Sequence, residues 1–94
     1  MYYYIYVLYS KLDNRFYVGY TKNLKERIKR HLTSENHTTS RFKSIELVYS
    51  EACKNGKDAR VREKQLKTGF GRGYIKKRIK NYLDSNSIRS AAIV

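Results

Sequence analysis

The sequence predicts a one-domain α/β fold with the element order strand, strand, helix, strand, helix, helix. Three observations predict it. β-Formers alternate over residues 2–9 and again over 15–20, apolar residues recur at every fourth position over 22–32, and Asn55-Gly56 and Gly69 punctuate two further helical stretches. A chain of 94 residues suits one domain with a small core.

Residues 2–9, YYYIYVLY, read as the first strand. A period of two places Tyr3, Ile5, Val7 and Tyr9 on one face and Tyr2, Tyr4, Tyr6 and Leu8 on the other. Asp13-Asn14 signals a turn, and residues 15–20 read as a second strand, so the two form a hairpin. Phe16, Val18 and Tyr20 share one face of that strand, Tyr17 and Gly19 the other. Ile5, Val7, Phe16 and Val18 then cover one side of the sheet. Tyr6 and Tyr17 lie together on the opposite side, where Gly19 leaves open space beside Tyr17.

Residues 22–32 read as a helix capped by Thr21 or Asn23, with Leu24, Ile28 and Leu32 as its apolar stripe. Residues 33–44 are polar, include His37 and read as a loop. Residues 44–50 form the third strand, Asn55-Gly56 a turn, and 57–68 a second helix ended by Gly69 as a helix C-terminal glycine. Residues 74–83 form the third helix, with Ile75, Ile79, Tyr82 and Leu83 on one stripe. The domain so read covers 1–83; residues 84–94 are a tail that either frays or docks.

Charge is the strongest global signal. Twenty-one Lys and Arg against eight Asp and Glu give a net charge of +13 and a pI near 10.0. A globular chain this basic calls for a polyanionic partner, nucleic acid before any other, because each neutralised phosphate releases condensed counterions. A membrane surface fits less well, since no helix combines bulky aromatics with a wide apolar face. The single cysteine, Cys53, excludes an internal disulfide and any Cys/His zinc spacing. With no leader-like N-terminus and no apolar run long enough to span a bilayer, the expected location is the cytoplasm.

Three features do not fit a plain core. Glu63 falls in the middle of the Ala59, Leu66 and Phe70 stripe of the second helix, where a carboxylate needs a salt bridge, a hydrogen-bond network or a metal ion. Arg27 and His31, one turn apart, flank the Leu24–Ile28–Leu32 stripe at the edge between core and solvent, where a cleft would be lined. KTGFGRGYIKKR, residues 67–78, interleaves glycines with cations. It reads either as an inter-helix turn with a basic helix behind it, or as a phosphate-tracking surface of Arg72, Lys76, Lys77 and Lys80 at a helix N-terminus. It lacks the Gly-Lys-Ser/Thr ending of a P-loop.

In order, Tyr4-Ile5-Tyr6, Tyr17-Val18-Gly19, Arg27, His31 and Glu63 resemble the GIY-YIG nuclease superfamily. The run YVGYTKNLKERIKRH is similar to the N-terminal nuclease domain of the bacterial excinuclease, and REKQLK around Glu63 is similar to small stand-alone bacterial members. The resemblance implies a three-stranded, mainly antiparallel sheet flanked by helices. It also implies metal-dependent hydrolysis of DNA phosphodiesters, with a link to repair or recombination. By position, Glu63 would hold one Mg²⁺ or Mn²⁺, and Arg27 would stabilise charge on the scissile phosphate. Tyr6 and Tyr17 would orient the attacking water or take its proton, helped by His31; a metal and Arg27 would favour their phenolate forms. Ile5, Val18 and Gly19 complete the motif. Lys22, Lys25 and Arg30 join Arg72, Lys76, Lys77 and Lys80 as contacts to DNA, RNA being the other nucleic acid the charge admits. Two departures stand out: Tyr4 replaces the glycine of the first tripeptide, and Tyr74-Ile75-Lys76 occupies the place of an asparagine that many members carry. The rival reading is a nucleic-acid-binding module that kept the fold without the chemistry.

Overall fold

The computed structural model describes residues 1–11, 14–32 and 45–85. Six elements follow in the predicted order: β1 (Tyr3–Ser10), β2 (Arg15–Thr21), α1 (Leu24–Leu32), β3 (Ile45–Cys53), α2 (Gly56–Leu66) and α3 (Gly69–Arg78). A helical segment over 80–85 completes the described chain. The loop read at 33–44, with His37, and all of the tail beyond residue 85 lie outside the described residues.

The sheet is antiparallel throughout, in the order β2-β1-β3. Asn14 makes the β1–β2 turn in the left-handed region, at φ 52°, a conformation Asn tolerates better than most residues. Its side-chain oxygen accepts from the Tyr9 hydroxyl at 3.1 Å. Register pairs Ile5 with Tyr20, Val7 with Val18 and Tyr6 with Gly19, so the two faces divide as the period-two pattern predicts. Ile5, Val7 and Val18 form one core with Ala59 and Leu66 of α2 and Ile75 and Ile79 at the far side.

β3 runs three residues beyond the predicted 50. Glu51 and Ala52 are weak strand formers, but their pairing with Ile5 and Tyr4 outweighs propensity. The register shifts between Val7 and Leu8, inserting Val48 as a bulge. Glu51 is tolerated on the inner face because Arg62 of α2 grips it as a fork, at 2.8 and 2.9 Å, and the Tyr49 hydroxyl donates to it at 2.7 Å. These donors hold the Glu51 carboxyl below its usual range, with Arg62 the larger cause. The Arg62 guanidinium also lies 4.6 Å from the Tyr74 ring centre. One arginine therefore ties β3, α2 and α3 together.

The α2–α3 connection differs from expectation. Gly69 is not a left-handed C-terminal glycine; no glycine among the described residues has positive φ. α2 ends at Leu66, and Thr68 caps α3 by accepting from the Gly71 N–H at 3.2 Å, so Gly69 opens the third helix. α3 thus starts five residues before the predicted 74, and an irregular Ile79 separates it from the segment over 80–85. Phe70, expected on the apolar stripe of α2, belongs to α3 and is 75% exposed. Asn55 is likewise a helix cap, accepting from Lys57 N–H at 2.8 Å, and Gly56 is the first residue of α2.

Gly71 is required by packing. A Cβ there would land on the Leu66 backbone, which cannot give way as a side chain can. Gly69 and Gly73 have open space at the same position. Gly71→Ala should therefore destabilise the domain by about 1–3 kcal/mol. Gly73→Ala should stabilise it by about 0.5–1 kcal/mol, since alanine is the better helix former. Urea unfolding of the two variants checks both signs.

Candidate active site

The site is built around Tyr6. β1 is the central strand, and Ile5 through Ser10 are all buried. Tyr6 sits opposite Gly19, and a Cβ at Gly19 would fall on the Tyr6 ring and hydroxyl. The space that glycine leaves is therefore filled by Tyr6 and is not an opening beside Tyr17, which corrects the sequence-based expectation. Passing over Gly19, the Tyr6 hydroxyl reaches Nε2 of His31 at 2.9 Å. Tyr17 packs against both, with ring centres 6.4 Å from Tyr6 and 5.2 Å edge-on from His31.

α1 presents His31 to this cluster because Asn23 fixes its start. The Asn23 side-chain oxygen accepts from Glu26 N–H at 3.1 Å, and its amide donates to the Glu26 carboxylate at 3.4 Å. Asn23 is thus the N-cap, and its own backbone N–H donates to the Thr21 hydroxyl at 3.1 Å. His31 is 1% exposed and so lies inside, not at the core–solvent edge that its spacing suggested. Burial, aided by the Arg27 charge, pushes its pKa below the usual imidazole value.

Tyr6 moves the other way, to about 12, chiefly from burial and next from the Tyr17 hydroxyl. Arg27, by its charge and a hydrogen bond, pulls toward phenolate as expected but is outweighed. Tyr6 therefore keeps its proton and His31 stays neutral. With the imidazole proton on Nδ1, the tyrosine donates to Nε2.

A cleft of about 460 Å³ opens onto this cluster, lined by Tyr6, Tyr17 and Gly19 from the sheet, Arg27 and Arg30 from α1, and Arg60 and Glu63 from α2. Glu63 is buried at 8% exposure, as its place between Ala59 and Leu66 requires. Its two carboxylate oxygens take separate partners from its own helix and the residue after it: Arg60 at 3.3 Å and Lys67 at 3.1 Å. Arg60 also stacks its guanidinium 3.9 Å from the Tyr20 ring centre. Of the other carboxylates among the described residues, only Glu26 lines the cleft, and it pairs with Arg30 at 3.0 Å. Among the described residues, no three His, Cys, Asp or Glu side chains cluster to hold a metal between them.

The structure brings Tyr6, Tyr17, Arg27, His31 and Glu63 to one place, with Lys22 and Arg30 on the cleft wall. Lys25 lines a neighbouring, more apolar groove with Leu24, Ile28 and Leu47. Arg72, Lys76, Lys77 and Lys80 are exposed and none lines the cleft; Lys80 pairs with Asp84 at 2.8 Å. Tyr74 packs against Tyr49 and Arg62. Sequence reasoning missed Arg60 and Lys67. Their positions three before and four after Glu63 are the signal that could have found them.

Burial of neutral His31 makes the fold sensitive to acid. The folded state binds the imidazole proton less readily than the unfolded chain, so stability is present above about pH 6.5 and declines below it. Tyr6 acts at the other end, where stability declines as pH rises from about 10 to 12. The melting temperature of wild type should fall between pH 7 and 5, and that of His31→Phe should be lower at pH 7 but flatter. Tyr6→Phe should cost about 1 kcal/mol at pH 7 through the lost hydrogen bond.

The sequence profile of the GIY-YIG catalytic domain family matches residues 2–74. A UPF0213 protein of Limosilactobacillus reuteri (strain DSM 20016) is 43% identical over 60 residues, a match covering 61% of this chain and 62% of that protein. The solution NMR structure of a UPF0213 protein from Bacillus halodurans aligns over 90% of this chain and 84% of its own, at 29% identity and a TM-score of 0.45. With the family profile spanning most of the chain, from β1 into α3, the protein belongs to the GIY-YIG catalytic domain family, a family of nucleases.

Proposed function

We propose that the chain is a divalent-metal-dependent endonuclease that hydrolyses phosphodiester bonds of DNA. The observation that carries this reading is the meeting of a buried Glu63, Arg27 and two tyrosines in one cation-walled cleft. The donor set fits Mg²⁺ or Mn²⁺: one protein carboxylate suffices for a hard cation that keeps several waters and takes phosphate oxygens. Glu63 would hold it, and the bound ion would supply charge neutralisation at the phosphate and a more acidic water.

The residues divide the remaining work. Arg27, beside Tyr6 and on the cleft wall, pairs with the non-bridging phosphate oxygens as charge builds there. Tyr17 is less buried than Tyr6 and faces the cleft, so it orients the attacking water. Tyr6 holds its proton at neutral pH and donates it to Nε2 of neutral His31, so a proton from the cleft reaches the imidazole only through the Tyr6 hydroxyl, which passes its own proton to Nε2 as it accepts one from the cleft side. Lys22 and Arg30 hold flanking phosphates.

The ion pairs on Glu63 favour the second reading, a nucleic-acid-binding module. Arg60 and Lys67 compensate the buried carboxylate without any metal. The two readings separate on Glu63→Gln, tested on supercoiled, branched and single-stranded DNA with Mg²⁺, Mn²⁺ or EDTA. The nuclease reading requires metal-dependent cleavage by wild type and its loss in Glu63→Gln with DNA binding retained. No cleavage of any substrate, with equal binding by both proteins, leaves the binding module. Lys67 competes with the metal for the carboxylate, so Lys67→Met should tighten Mn²⁺ binding by up to about fivefold in calorimetry, the range of a partly exposed ion pair.

A further inference from the structure

The exposed face of α3 has a composition that stability does not explain. Gly73 weakens a ten-residue helix by roughly 0.5–1 kcal/mol, as a glycine in a helix interior does, and Gly69 stands at its first position. Neither has a positive φ, and beyond their chain neighbours and the helix's own backbone neither has an atom within 4 Å of the position a Cβ would take. Gly71, between them, is the one that packing demands. Phe70, in the same turn, is 75% exposed, more than any other large hydrophobic side chain among the described residues except Met1.

The helical period orders these residues around the exposed arc. At about 100° per residue the sequence across the face is Arg72, Lys76, Gly69, Gly73, Lys77, Phe70. Gly71 and Ile75 lie on the buried side. The glycines thus form a bare strip of backbone, with two cations along one margin and an aromatic ring and a third cation along the other. All six are exposed. A flat apolar ring, cleared space beside it and flanking cations are the parts of a stacking platform for a base whose phosphates are held alongside.

We propose that this face of α3 is a second nucleic-acid contact, in which Phe70 stacks on an unpaired base and Arg72, Lys76 and Lys77 hold the adjacent phosphates. The occupant is single-stranded nucleic acid, since in a duplex the base faces are already stacked. The inference rests on the nucleic-acid reading above and narrows it to substrates that carry an unpaired segment outside the cleft. It also gives Gly69 and Gly73 a reason: any larger side chain there would stand in the base's place.

Fluorescence anisotropy tests it with three labelled probes of about 12 nucleotides, a length within the span of one single-strand-binding module: a DNA single strand, the blunt duplex of the same sequence, and a strand of the same length with abasic sites throughout. The proteins are wild type, Phe70→Ala, Phe70→Tyr and Gly73→Leu. Phe70 and Gly73 are exposed, so circular dichroism should show each variant folded. Phe70→Ala should weaken binding to the single strand by about 5- to 100-fold, with little change for the duplex or the abasic strand. Phe70→Tyr should restore binding, and Gly73→Leu should weaken it for the base-bearing strand alone. Equal affinity of wild type and Phe70→Ala for the single strand, or an equal loss on the abasic strand, overturns the platform while leaving the nucleic-acid reading intact. Wild type that binds none of the probes at low salt overturns both.

Discussion

The structure depends on one steric fit, the passage of the Tyr6 side chain over Gly19. β1 is the middle strand and is buried along most of its length. A tyrosine in such a strand needs room for its ring and a partner for its hydroxyl. Gly19, directly across the ladder, supplies the room, and His31 on α1 supplies the partner. The hydroxyl is thereby carried from the sheet to the helix, and the ring packs with Tyr17 beside it. A side chain at position 19 would fall on the Tyr6 ring and hydroxyl and displace them from their place beside His31.

The same burial that builds the cluster sets its protonation. The field of a +13 protein and the nearby Arg27 both favour phenolate, yet desolvation of Tyr6 wins and its pKa rises. His31, desolvated in the same pocket, loses its proton more easily. The pair is therefore neutral, and the charge of the site is confined to the cleft wall. There the solution is different: Glu63 is buried but keeps its oxygens within reach of Arg60 and Lys67. The carboxylate is thus compensated by partners about one helical turn away on either side.

Two groups of basic residues lie apart. Lys22, Arg27, Arg30 and Arg60 gather at the cleft, while Arg72, Lys76 and Lys77 stand on α3. Net charge is a sum and carries no information on this division. The stretch KTGFGRGYIKKR also resolves into parts with different causes. Thr68 caps, Gly71 packs, and Gly69, Phe70 and Gly73 serve neither purpose.

Element order, the division of the hairpin's faces and the set Tyr6, Tyr17, Arg27, His31 and Glu63 were legible in the sequence. The first two follow from periods of two and of about 3.6; the pattern alone marked only Glu63, Arg27 and His31 as poorly placed, and the set of five was assembled through the family resemblance of its motifs. Local signals failed where a distant partner decided the outcome. β3 continues through Glu51 because Arg62 and β1 hold it there; the helix boundary near Gly69 is a different case, a local cap in which Thr68 accepts from the Gly71 N–H. Gly19 showed only that a side chain was missing; Tyr6 occupying its place is a contact between strands. The direction of the Tyr6 and His31 pKa shifts was likewise a tertiary result. Sequence determines which groups can ionise, but the depth at which the fold buries them decides which of them do.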